Sequence, residues 1–100
     1  MLKVDDLTLN TLRGTVSYAE QPLLLTHTEF RLLEYLVGHA GAVVPTRTLL
    51  DAVWGQERPV GPDVVRVTMH RLQHKLNEAG ARDLLGKVRG VGFIVRVAPT

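Results

Sequence analysis

The spacing of hydrophobic residues changes character along this chain, and each change marks an element. Leu2, Val4, Leu7 and Leu9 fall at strand-like intervals, with Asp5-Asp6 interrupting the alternation as a bulge or turn does. After an Arg13-Gly14 turn, Val16 and Tyr18 alternate with polar neighbours, and Pro22-Leu23-Leu24-Leu25 forms a third short run. Residues 1–25 therefore predict a small antiparallel meander. The period then shifts to 3.6. Thr26-His27-Thr28-Glu29 has the form of a capping box, in which the Thr26 hydroxyl accepts from the Glu29 N–H and the Glu29 carboxylate reaches back. Phe30, Leu33, Leu36, Val37 and Ala40 follow on one helical face, and Gly41 is placed to close the helix.

An extended Val43-Val44-Pro45 leads to a second helix, with Thr46 as its expected cap and Leu49, Leu50, Val53 and Trp54 as its apolar side. Trp54 is expected to be mostly buried. Gly55 stops this helix, and residues 55–62, with two glycines and two prolines, form a loop. A third helix starts near Pro62-Asp63, since proline suits a first turn and Asp63 suits the positive end of the dipole. Val65, Met69, Leu72 and Leu76 give it a buried seam, and Gly80 ends it. Residues 86–97 close the chain as a hairpin with Gly90-Val91-Gly92 near its tip. With no linker or internal repeat, residues 1–100 read as one α+β domain: strands over 1–25, three helices over 26–80 and the hairpin over 86–97.

Composition narrows the class. In 100 residues with 45% hydrophobic content there is material for one modest core. No run of 18 apolar residues exists, and the first residues lack a signal-peptide pattern. Cysteine is absent, which removes disulfides, thiolate catalysis and cysteine-ligated metals, and fits a reducing cytoplasm. The net charge is only +2 but unevenly spread. Residues 1–62 hold five Lys/Arg against seven Asp/Glu, whereas residues 63–100 hold seven against three. One face is thereby suited to a polyanion, although chance variation in surface charge produces a similar split.

No motif supports catalysis. Ser17, the only serine, lies in a strand without a glycine elbow, and the carboxylates share no chemically demanding spacing. His70 and His74 stand four apart, a spacing that can hold zinc, but Arg71-Leu72-Gln73 lie between them with no third ligand evident. His27 and His39 fit the first and last turns of a helix. Gly90-Val91-Gly92 begins like a dinucleotide fingerprint and then continues as strand. No cofactor or metal is expected. The third helix is the informative element. Opposite its seam lie Asp63, Val67, His70 and His74, flanked by Arg66 and Arg71, and no acid stands between Asp63 and Glu78. Arginine and glutamine are donors for base edges, cations engage phosphates, and an exposed valine can meet a thymine methyl. Lys87, Arg89 and Arg96 make the hairpin a second basic element.

In sequence order, Leu25-Thr26-x-x-Glu29-Phe30-x-Leu32-Leu33, Gly41-x-Val43-Val44, Leu49-Leu50-x-x-Val53-Trp54-Gly55, Arg71-Leu72-x-x-Lys75-Leu76 and Val88-Arg89-Gly90-x-Gly92-Phe93 resemble the winged helix-turn-helix effector domain of OmpR/PhoB-type response regulators. The resemblance covers essentially the whole chain. It implies sequence-specific binding of double-stranded DNA in transcriptional regulation, with the third helix in the major groove and the wing toward the minor groove. The DNA-binding residues it implies, together with the basic pattern, are Arg66, Val67, His70, Arg71, Gln73, His74, Lys75, Lys87 and Arg89. It also implies that loop residues Gln56, Glu57, Arg58 and Val60 meet RNA polymerase in an activator. The protein is then cytoplasmic and binds direct repeats as a tandem dimer, usually under control of a receiver domain; these 100 residues contain none, so they are either an excised effector domain or a stand-alone regulator.

The third helix departs from the family pattern. Arg66 replaces a usual acid, Thr68 a usual histidine, and Gln73 a frequent arginine. Base preference therefore does not transfer. The alternative from another class is a winged helix whose third helix contacts an acidic protein.

Overall fold

The computed structural model of the chain describes residues 1–55 and 60–96. The N-terminal meander has four strands rather than three: β1 (Leu2–Val4), β2 (Leu7–Asn10), β3 (Thr15–Tyr18) and β4 (Gln21–Leu23), hydrogen-bonded in that order. Asp5, in the left-handed region at φ 52°, reverses the chain, so the run from Leu2 to Leu9 folds back on itself with Leu2 opposite Leu9. The third apolar run is also shorter than its sequence predicts, because β4 ends at Leu23 and Leu24 is 91% exposed.

Helix α1 (His27–Gly38) starts with both halves of the capping box formed. The Glu29 N–H donates to Thr26 Oγ1 at 3.1 Å, and the Thr26 N–H donates to Glu29 Oε1 at 2.9 Å. The helix ends before Gly41. His39 caps it, stacked on the Tyr35 ring at 4.4 Å. Gly41 is left-handed, at φ 88°, but belongs to the following turn, where its N–H donates to the Val95 carbonyl.

Strand β5 (Val44–Pro45) precedes α2 (Thr46–Leu49), which runs into a π-helical turn (Leu50–Trp54). Pro45 occupies the cap position expected for Thr46, whose N–H donates instead to the Val91 carbonyl. The π turn also sets the placement of Trp54. A wider turn advances each residue by a smaller angle than an α-helix does. Leu50 and Val53 point inward, and Trp54 is left at the margin, partly buried against the core. The guanidinium of Arg31 in α1 donates to the Val53 and Ala52 carbonyls, satisfying the open end of this turn.

Helix α3 (Asp63–Glu78) buries Val65, Met69, Leu72 and Leu76, the seam its spacing predicts. Gly80, at φ 98°, ends it in a Schellman arrangement, with its own N–H on Asn77 and that of Ala81 on Leu76. The chain closes with β6 (Leu85–Val88) and β7 (Gly92–Val95). These do not form a free hairpin. β7 is the middle strand of a second sheet in the order β5-β7-β6. Gly92 is required there, since a Cβ would overlap the Val44 carbonyl oxygen across the β5–β7 pair. Leu7, Leu9 and Val16 from the first sheet, Leu32, Leu33 and Leu36 from α1, the α3 seam, and Leu85, Phe93 and Val95 from the second sheet form one core. Among the described residues no helix is long and apolar enough to cross a membrane.

Candidate nucleic-acid interface

Burying the seam of α3 against α1 and the core turns Arg66, Val67, His70, Arg71 and His74 to solvent. Val67 is 49% exposed, an apolar side chain in the middle of a polar face. Arg66 pairs with Asp63 one turn earlier, and His74 Nε2 lies 3.0 Å from Glu78 Oε1 one turn later. Both pairs are exposed and so weakly held, which leaves the side chains free to exchange partners with a ligand. Arg71 has no ion pair among the described residues.

The wing supplies the second group of cations. Val88 and Gly92 close the hairpin, and the Val91 N–H donates to the Val88 carbonyl at 3.0 Å. Gly90 takes the left-handed conformation that the turn needs, at φ 76°. Lys87 and Arg89 flank this tip and are exposed. A groove of about 590 Å³ joins the two groups, lined by Arg66 from α3 and by Lys87 and Arg89 from the wing. Arg47 lines the same groove from α2. Sequence reasoning did not select Arg47, whose only distinguishing mark is its place near the start of the second helix. It pairs with Asp51, 3.7 Å away and i,i+4, through an exposed contact.

Two expected contact residues do not share the α3 surface on equal terms. Lys75 turns away from it. Its Nζ lies 2.6 Å from Glu29 Oε1, and Glu29 is only 3% exposed. Twelve residues into α3 the helix phase points toward α1, so Lys75 is a structural cation and not a groove residue. Burial alone pushes the Glu29 carboxyl upward, but the hydrogen bond from Lys75, the Thr26 backbone N–H and the Lys75 charge together hold it below the ordinary glutamate value. Gln73 is half-buried on the flank facing the wing, with Nε2 donating to Asn77 Oδ1 at 2.7 Å. Gln56, Glu57 and Arg58 lie outside the described residues. Val60 is partly buried against the core.

A family model described as the C-terminal domain of transcriptional regulatory proteins matches residues 20–95. The chain belongs to this family. The family is regulatory rather than enzymatic, and this regulatory domain has the winged-helix fold. It is 34% identical over 94 residues to the response regulator MprA of Mycolicibacterium vanbaalenii, covering 94% of this chain and 41% of that protein. The regulatory domain thus spans about two-fifths of the length of the curated relatives it matches. Among solved structures it is similar to the DNA binding domain of CpxR from E. coli, with a TM-score of 0.84 and 33% identity over 98% of this chain and 97% of that one. The fold also matches the DNA binding domain of the response regulator AdeR, solved in complex with an intercistronic region, at a TM-score of 0.88 and 22% identity over 96% and 99% of the two chains.

Proposed function

We propose that this domain binds double-stranded DNA sequence-specifically and serves as the effector of a transcriptional response regulator. The observation that carries the reading is the continuity of one cationic surface across two protrusions. The outer face of α3 offers Arg66, Val67, His70, Arg71 and His74, and the wing adds Lys87 and Arg89 beside Arg47. An exposed helix of this kind fits the major groove, while a turn tipped by a single arginine fits the narrower neighbouring one. The only acids of α3, Asp63 and Glu78, stand at its two ends and are paired with Arg66 and His74. A tandem pair of domains on direct repeats, and a contact between the loop around Gln56, Glu57 and Arg58 and RNA polymerase, belong to the same reading.

The test is selection of duplexes from a random pool, followed by a salt titration on the selected site. Enrichment of one repeated motif is expected. Log affinity should fall linearly with log salt, with a slope of about −0.9 per phosphate contacted. A pool with no enriched sequence, together with saturable binding of an acidic protein to the α3 face, would replace this reading with protein recognition.

A further inference from the structure

Between α3 and the wing lies a cleft of about 220 Å³ with Met69, Leu85 and Phe93 at its apolar floor. Gly86 lines the cleft through its backbone alone. The Arg96 guanidinium packs on the opposite face of β6, over Gly86, and donates to the Asp83 carbonyl, so it stays out of the cleft. The rim is polar and cationic, made by Arg66, His70 and Lys87 with Gln73 beside them. The opening is continuous with the larger cationic groove, because Arg66, Lys87 and Phe93 line both.

Phosphodiesters account for the cations at this mouth, and beneath them the cleft bottoms on the edge of the core at Met69, Leu85 and Phe93. An apolar recess with convergent positive groups is the complement of an amphipathic anion. We propose that the cleft binds a small organic anion, a single aromatic ring or compact branched body bearing one carboxylate or phosphate. The ring occupies the space over Met69, Leu85 and Phe93, and the anion meets Lys87 and Arg66. The second half of the proposal rests on the DNA-binding reading: an occupied cleft withdraws these two cations from DNA and so weakens the complex. The volume lies below that of sites for drug-sized molecules, so one ring is the fitting size, with affinity of about millimolar order.

The experiment titrates the isotope-labelled chain with benzoate, without DNA, and follows backbone amide shifts. Benzyl alcohol supplies the ring without the charge, and acetate the charge without the ring. Saturable shifts at Gln73, Gly86, Lys87 and Phe93 are expected with benzoate, and both controls should bind at least about tenfold more weakly. Lys87→Gln should reduce benzoate binding to the level of benzyl alcohol. Arg82→Gln, which removes an exposed cation outside the cleft, should leave it unchanged. Shifts that never saturate, that spread over all basic residues, or that acetate reproduces equally would overturn the site. A second arm compares DNA affinity in benzoate with that in acetate at equal ionic strength. Equal affinities with benzoate bound overturn the regulatory half alone. Failure to bind any DNA, with the amide shifts intact, removes the DNA reading and leaves the site standing.

Discussion

Glu29→Ala strikes the one nearly buried ionic contact among the described residues. The carboxylate accepts from the Thr26 N–H at 2.9 Å and from Lys75 Nζ at 2.6 Å, so one side chain caps α1 and ties it to α3. Truncating one partner of a fully buried pair costs about 3–5 kcal/mol, mostly because the other charge is stranded. Lys75 retains 34% of its side-chain surface in solvent, so it can swing outward and the penalty must be discounted. The lost half of the capping box adds about 0.5–1 kcal/mol. The expected total is about 2–3 kcal/mol at neutral pH. Urea unfolding followed by the fluorescence of Trp54, the only tryptophan, measures it. The pH dependence supplies the sharper check. The folded-state pKa of Glu29 lies below its unfolded value, so the stabilisation is fully present above the unfolded pKa and is lost as pH falls through the folded one. The gap between the parent and Glu29→Gln should therefore be constant from about pH 6 to 8 and narrow toward pH 3. In Lys75→Met, burial of Glu29 is less opposed and its pKa moves up, so that variant should regain ground on the parent at a higher pH. A neutral-pH loss below about 0.5 kcal/mol, or gaps independent of pH, would refute the proposed coupling of cap and ion pair.

Gly92→Ala should destabilise by about 3 kcal/mol or more, since its Cβ must displace backbone of β5; Gly38→Ala, in open space at the end of α1, should instead stabilise by about 0.5–1 kcal/mol, and thermal melts of the two that move in the same direction would contradict both assignments. Ala19 and Glu20 both sit in the left-handed region, at φ 49° and 68°, in the two-residue turn between β3 and β4. Replacing them with Asn-Gly should add about 1 kcal/mol of stability, read as a higher urea midpoint at unchanged slope. For DNA, Arg71→Ala should cost about 1–3 kcal/mol and relax preference at one or two base pairs, while Arg89→Ala should weaken binding more evenly and flatten A·T preference at the flank. A panel of single-base site variants that responds to both substitutions by one uniform factor would assign both arginines to phosphate contact.

The parts of the fold legible in the sequence are those where one local rule acts alone. The capping box at Thr26 and Glu29 and the Gly80 stop need only neighbouring residues, and both form as their residue types require. The α3 seam is equally plain, because Val65, Met69, Leu72 and Leu76 leave no other face to bury. Misreadings occur where distant partners decide. The run from Leu2 to Leu9 makes two strands instead of one because β2 is held between β1 and β3, in register with β3 from Leu7–Tyr18 to Asn10–Thr15. The π turn before Gly55 could not be read from spacing, since Leu49, Leu50, Val53 and Trp54 fit an α-helix as well. At the candidate site, Lys75 belongs to a basic run in the sequence, yet its partner lies 46 residues away. Arg47 was hidden for the converse reason, because the groove that gives it a role is assembled from three separate elements.

The attachment of β7 in the middle of its sheet bears on how the wing would approach a duplex. The hairpin is held at its tip, where Val91 accepts from the Thr46 N–H, and at its base, where Val95 accepts from the Gly41 N–H and Leu84 from the Arg96 N–H. Ordering a loose turn on association costs about 1–2 kcal/mol for each backbone residue immobilised. A tip already fixed by the body of the domain avoids most of that loss. Docking of the wing should then proceed as a rigid encounter, with an observed rate linear in DNA concentration and no slower ordering phase. Its heat-capacity change should follow the surface covered on contact, without the added contribution that a segment folding on arrival would bring.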